Sequence, residues 1–370
     1  MTRFHVVLVS ACLLAGLGVT SRIDAQQARW YRGNTHMHTR GGDVDANSDE
    51  VAQWFRAHGY DFIVATDHEF LTDVAPLNAA HGDGGRFLLI AGQEITQIVA
   101  DPAHPDKIRH AHVNGIGTRR VVMPLSTPGT SSRWNPILAT GTTMTQAYAR
   151  NMLEIRAAGG LPQVNHPNYQ WSVRLDDLLP LADPYLLEVW NGYPTSNNLG
   201  GVDDAGNVSP SAEALWDGLL SSGKVVWGVA SDDSHTYTRF DNREVPSPGK
   251  GWIVVRAPRL TAEAIIQAIR QGDFYASTGV TLERLDAGPK EMALGITPQP
   301  DPSGAFQRLT RYTTRFIGAG GQVLAEVHGL TPRYRMRGDE GYVRASIVDS
   351  DGRRAWTQPC FLDGRATRRP

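Results

Sequence analysis

Twelve histidines stand in this chain of 370 residues, and several adjoin Asp, Glu or another His. His36-Met37-His38 follows the short apolar start Trp30–Tyr31, and Asp67-His68 follows the run 61–66 (DFIVAT). Glu94 follows FLLIAG, His112 opens HVNGIG, His166 follows LPQVN, and Asp233-Ser234-His235 follows VVWGVAS. An H-x-H pair on extended chain presents both imidazoles on one face, because side chains alternate with period two; Asp233 and His235 share that spacing. His, Asp and Glu without Cys form a borderline-to-hard donor set. It suits Zn²⁺, Mn²⁺ or Fe²⁺ rather than a thiolate site or an all-oxygen Ca²⁺ cage. A lone strand-end histidine is ordinarily a hydrogen-bonded core residue, and one H-x-H pair is weak evidence. The joint occurrence of two such pairs, an Asp-His and three further donors, nearly all just after apolar strands, is what points to metal.

Clustered cations would lower the pKa of water toward neutrality and stabilise an oxyanion. Other chemistries lack their signatures: there is no G-x-S-x-G elbow, no P-loop or dinucleotide-binding glycine pattern, and the cysteines are only Cys12 and Cys360. His110 and His112 compete for one position, and His112 is chosen because it opens the strand. In the Asp232-Asp233 doublet the D-x-H spacing selects Asp233. His58, His81, His104 and His328 read as surface or loop residues. Asp67 is expected to act beside His68, orienting it or a water, and Arg40 and Arg133 are candidates for binding an anionic substrate.

The elements that must position these residues are short apolar strands alternating with helical stretches from about 30 to 280. Candidate strands are 61–66, 87–91, 112–117, 161–165, 186–190 and 225–230, and candidate helices lie near 48–57, 145–158, 211–222 and 261–271. Asn47 and Glu50 suit a capping box on the first helix. Such alternation indicates parallel βα units, either a barrel or an open doubly wound sheet, with the site on the rim of C-terminal strand ends. Segment 101–144, rich in Pro, Gly, Ser and Thr, reads as a long loop over that rim. After about 280 the pattern changes to alternating strands with a hairpin signal at Asp351-Gly352, which predicts a small β-rich domain over 281–370. Its last 70 residues hold 12 Arg, no Lys and 7 acids, a net +5.

The composition, 41% hydrophobic and 20% charged, is that of a globular chain, and a net charge of −2 gives no bulk attraction to nucleic acid. Arg3 and the apolar run 4–19 read as an export signal over 1–25, with Gln26 as the first mature residue; an uncleaved membrane anchor is the alternative. Cleavage would leave no stable membrane span and one cysteine, and would place the protein in the periplasm or medium.

His36-Met37-His38 with Asp43, Thr66-Asp67-His68, Gly92-Gln93-Glu94, Asn165-His166-Pro167 and Ser231-Asp232-Asp233-Ser234-His235 resemble, in order, the motifs of the PHP (polymerase and histidinol phosphatase) superfamily. The resemblance covers roughly residues 30–280 and implies an α/β fold, a distorted (β/α)7 barrel over 26–280, with about three divalent ions (Zn, Mn or Fe). Carried over, His36, His38, Glu94 and Asp233 would hold one ion. Glu94 would bridge to a second held by His112 and His166, and Asp43, His68 and His235 would hold a third. Gly42 stands where the family usually has Ser. Glu188-Val189-Trp190-Asn191-Gly192 and Gly272–Gly279 further resemble the carbaryl-hydrolase-like (CehA/McbA) branch. The implied activity is metal-dependent hydrolysis of a small molecule, a phosphate ester or, alternatively, a carboxylic or carbamic ester. The arginines favour the first substrate; Trp171, Trp190 and Tyr193 favour the second.

Overall fold

The computed structural model describes residues 28–40, 42–102, 104–105, 107–127, 138–203, 206–240, 244–299 and 310–365. The segment read as an export signal lies outside them, as does Arg133. The elements begin with β1 (Arg29–Asn34), α1 (Ser48–Ala57), β2 (Phe62–Ala65), α2 (Val74–His81), β3 (Leu88–Ala100), β4 (Ile108–Ile116), β5 (Leu138–Thr140), α3 (Met144–Ala157), β6 (Leu161–Val164), α4 (Leu175–Leu178) and β7 (Tyr185–Asn191). They continue with β8 (Gly201–Val202), β9 (Val208–Ser209), α5 (Ala212–Ser221), β10 (Val226–Ser231), β11 (Trp252–Ala257), α6 (Ala262–Gln271) and β12 (Phe274–Ser277). Then come β13 (Thr281–Ala287), β14 (Glu291–Thr297), β15 (Tyr312–Ile317), β16 (Val323–His328), β17 (Arg333–Arg335), β18 (Tyr342–Asp349), β19 (Arg354–Thr357) and β20 (Cys360–Phe361).

Local sequence explains the helix ends. Asn47 and Glu50 form the capping box on α1, Thr143 and Gln146 form one on α3, and Ser211 and Thr261 cap α5 and α6. Helix α6 stops at Gly272, whose φ of 76° is left-handed and where a side chain would strike Trp227. β2 and β10 are buried at every position, so both faces of each are covered.

The fold is mixed α/β. A 15-stranded sheet runs β10-β7-β6-β4-β3-β2-β1-β11-β12-β19-β18-β15-β16, with β5 beside β3 and β20 beside β18. The pairs β1/β2, β2/β3, β6/β7 and β7/β10 are parallel, whereas β3/β4, β4/β6 and β1/β11 are antiparallel. The expected parallel βα units are present in part, and the structure departs from them in two respects. First, β3 and β4 form a long antiparallel hairpin from Gly92↔Ile116 to Ala100↔Ile108, so part of the segment read as a loop is strand. Secondly, β10 and the chain after β1 meet through an isolated parallel bridge, Met37↔Ser234, and the described strands form no closed barrel.

The expected boundary near 280 falls between β12 and β13. Strands beyond it have their own apolar cluster, including Leu282, Met292, Leu294, Phe316 and Ile347. The sheet nevertheless runs across the boundary through Tyr275↔Thr357, Ala276↔Trp356 and Ser277↔Ala355. Arg344, fully buried in β18, locks the same junction: it pairs with Asp217 at 2.6 Å and Glu213 at 2.8 Å on α5, and Tyr342 Oη donates to Asp217 at 2.8 Å. Removing one partner of a buried charged network leaves the others unpaired, which costs about 3 kcal/mol or more. Arg344→Met is therefore expected to lose about that much stability in urea unfolding, whereas Arg315→Ala, which breaks an exposed pair with Glu326, leaves the midpoint where it is. Equal midpoints for the two variants would contradict the locking role.

Candidate metal centre

Parallel β1, β2 and β10 deliver their following residues to one end of the sheet, which brings His36, His38, His68 and Asp233 together. The β3/β4 hairpin supplies the remaining wall. Its register sets Glu94 opposite Asn114 and Thr96 opposite His112, so these four side chains share one face. Glu94 and His112 thus meet from within strands, not from strand ends.

The structure brings the nine expected donors into three groups: His36, His38, Glu94 and Asp233; Glu94, His112 and His166; and His38, Asp43, His68 and His235. In the first, Glu94 Oε2 lies 3.2 Å from His36 Nε2 and 3.5 Å from His38 Nε2. Asp233 Oδ1 is 3.2 Å from both of those nitrogens. Four ligands about 2.1 Å from a tetrahedral ion lie about 3.4 Å apart, so this cradle has the right size. Glu94 turns its other oxygen to the second group, with Oε1 3.1 Å from His112 Nδ1 and 3.5 Å from His166 Nε2. In the third, Asp43 Oδ2 is 3.4 Å from His38 Nδ1 and 3.7 Å from Nε2 of both His68 and His235. His38 thereby faces two groups, and its Nδ1 is buried without a hydrogen-bond partner. An orphaned imidazole nitrogen aimed at a carboxylate and two imidazoles fits a cation. The third group is also the one that reaches solvent, since the Asp43 side chain is 37% exposed and Glu94 is 1% exposed.

The electrostatics follow from burial and mutual contact. Burial would raise the Glu94 carboxyl, but the His36 and His68 imidazoles outweigh it and hold the carboxyl well below the usual range. Asp233 behaves alike, held down against burial by His36 and His38. Burial would lower His36, and Asp233, Glu94 and Glu188 overcome this and raise it well above an ordinary histidine. His38 goes the other way, pushed down to about 4 by burial and by His235 and His68.

Asp67 lies outside the three groups. Its oxygens accept from the backbone N–H of Thr39 at 2.7 Å and of Arg40 at 2.9 Å, and from the hydroxyls of Thr39 and Thr72. Both oxygens are engaged in holding the loop after His38, which is a supporting part beside the donors. The Arg40 guanidinium lies over the Phe70 ring at 4.4 Å, on the rim and outside the groups. Gly42 has a φ of 102°, which a serine would adopt only under strain. Trp190 packs on Trp356 with ring centres 6.1 Å apart, while Tyr193 does stand over the site, 5.8 Å from His235.

Several contacts escaped the sequence reading. Tyr169 packs edge-on against His166 and His110 and touches Tyr193, making an aromatic wall. His110 is not the donor to Glu94, but its Nδ1 lies 3.4 Å from His112 Nε2. Thr96 Oγ1 is 2.6 Å from His68 Nδ1, and Asn165 Nδ2 donates to Glu94 Oε1 at 2.9 Å. An amide or hydroxyl within an apolar strand was the available signal, because a buried polar group needs a partner.

No protein-family model matches the chain, and no curated protein matches it. Among solved structures it is similar to a two-domain protein from Bacteroides vulgatus containing a predicted PHP-like metal-dependent phosphoesterase, at 15% identity and a TM-score of 0.44, covering 88% of this chain and 91% of that one. It is similar to a candidate metal-dependent phosphoesterase from Bifidobacterium adolescentis, at 13% identity and a TM-score of 0.36, covering 58% of this chain and 89% of that one. An amidohydrolase from Chromobacterium violaceum with bound sulfate and no metal gives 13% identity and a TM-score of 0.35, covering 56% of this chain and 88% of that one.

The chain carries the donor set of a metal-dependent hydrolase. Because Glu94 serves two groups through different oxygens, Glu94→Gln is expected to lose divalent metal from both while keeping its far-UV circular dichroism. Elemental analysis of the purified variant checks this, and a full complement of metal would refute the bridging role.

Proposed function

We propose that this chain is an exported metal-dependent phosphoesterase of the PHP superfamily, acting on a small organic phosphate. The observation that carries the proposal is the convergence of nine imidazole and carboxylate donors into three contiguous groups joined by Glu94 and His38. His36, His38, Glu94 and Asp233 would hold one ion, Glu94, His112 and His166 a second, and Asp43, His68 and His235, with His38 beside them, a third. Bound divalent cations supply Lewis acidity and lower the pKa of water toward neutrality.

The chain's own residues do the rest. Glu94, His112 and Asp233 exclude solvent from the floor. Asp43 and His235 stand where substrate enters, and Tyr169 and Tyr193 form one wall. Arg40, near the rim, would attract an anion. Cys360 pairs through β20 with Val343 and offers no nucleophile at this end of the sheet. Export rests on Arg3 and the apolar run that follows it. A carbamate or carboxylic ester is the second reading, and the aromatic wall of Tyr169 and Tyr193 supports it.

Assay of the periplasmic fraction and of purified protein against p-nitrophenyl phosphate, its bis-ester and 1-naphthyl acetate separates these readings. Hydrolysis of a phosphate ester that chelation abolishes and added Zn²⁺ or Mn²⁺ restores is expected. Turnover confined to naphthyl acetate would transfer the assignment to the ester reading, and chelator-insensitive activity would overturn both.

A further inference from the structure

Glu188 lies in β7, wholly buried, and belongs to none of the three donor groups. Its Oε1 accepts from His36 Nδ1 at 2.8 Å, from Gln163 Nε2 at 3.2 Å and from Ser231 Oγ. Its Oε2 accepts from the backbone N–H of His166 at 2.6 Å and from Asn191 Nδ2 at 2.8 Å. A carboxylate offers about four lone-pair directions, so five donors exhaust it. An acid inside an apolar strand is costly unless so paired.

Three of the candidate metal donors depend on these bonds. His36 has one ring nitrogen on Glu188 and the other between Glu94 and Asp233. His166 has a φ of 21° and Asp233 one of 50°, conformations that L-residues adopt only when their surroundings enforce them. The His166 N–H is held by Glu188 itself. Asp233 is reached through Asn191, whose Nδ2 also lies 3.2 Å from Asp233 Oδ2.

We propose that Glu188 is a positioning residue for the metal centre: it keeps the His36 proton on Nδ1, leaving the Nε2 lone pair free for a cation, and holds the His166 turn and, through Asn191, Asp233. The inference rests on the metal-centre reading above. A carboxylate is needed because every group facing it is a donor. Glutamine would present its NH₂ either to His36 Nδ1–H and Gln163 or to the His166 N–H and Asn191, so whichever way it turns one side is disrupted.

The test uses the full-length zinc-loaded protein with ¹⁵N-labelled histidine, and zinc affinity measured by competition with a chromophoric chelator. In the wild type, the ring spectrum of His36, assigned by its loss in His36→Asn, should show the proton on Nδ1 and Nε2 bound to zinc. Glu188→Gln should retain the wild-type circular dichroism and bind zinc about ten- to a hundredfold more weakly. Wild-type zinc affinity in a folded Glu188→Gln, with the His36 signature unchanged, would overturn the proposal. If the variant does not fold, the wild-type spectrum decides alone, and a proton on Nε2 of His36 overturns it. A wild type that binds no zinc, manganese or iron fails differently: the metal-centre reading falls, and the Glu188 proposal with it.

Discussion

One buried carboxylate has to satisfy two sets of donors at once. Glu94 Oε2 faces His36 and His38, and Oε1 faces His112 and His166. The solution is the β3/β4 hairpin: β3 continues past the end of β2, so that Glu94 sits within a ladder, and β4 returns to set His112 diagonally across from it. β4 pairs antiparallel with both β3 and β6, between the parallel pairs β2/β3 and β6/β7, and it is the strand that carries His112 to Glu94.

Holding like charges close without water requires support from behind, and three buried carboxylates outside the donor groups provide it. Asp67 gathers the backbone of Thr39 and Arg40. Asp232 accepts from Asn34 Nδ2 at 2.7 Å and from the backbone N–H groups of Gly249, Lys250 and Gly251 at 3.0, 2.6 and 2.9 Å, fixing the chain on which Asp233 sits. Glu188 backs His36 and His166. In each case donors that would otherwise be buried unpaired meet an acceptor, and the donor residues beside them are fixed in place. The left-handed backbone at His166 and Asp233 is the strain this scaffold sustains.

Much of this was legible in the sequence, because the helices carry their own punctuation. Helices α1, α3, α5 and α6 fall within a residue of their expected bounds, since Asn47, Thr143, Ser211 and Thr261 are capping residues whose chemistry is local. Most of the donor residues were legible from type and spacing, and Asp43 only through the motif resemblance. What was hidden is polar chemistry inside strands. β3 was expected to stop at Ala91 because Gly92, Gln93 and Glu94 look like loop. In fact Gln93 pairs with the backbone of Val122, and Gln97 with that of Leu125, each through N–H and C=O, so these buried amides act as an extra length of ladder. Glu188 was legible only as a member of the Glu188–Gly192 motif and without a part to play: an acid in YLLEVWN gives no local reason for its burial, and only its five donors, brought from β6, β7, β10, the chain after β1 and the turn after β6, explain it. Tyr169 was missed because an aromatic beside a turn carries no period.

In the proposed metal centre Glu94 would serve two cations through separate oxygens. Anomalous difference maps from crystals grown with Zn²⁺ or Mn²⁺, recorded on both sides of the metal's absorption edge, test it directly. One peak is expected among His36, His38, Glu94 and Asp233, a second among Glu94, His112 and His166, and Glu94 oxygens in contact with both. A single peak, or two peaks of which only one touches Glu94, would contradict it.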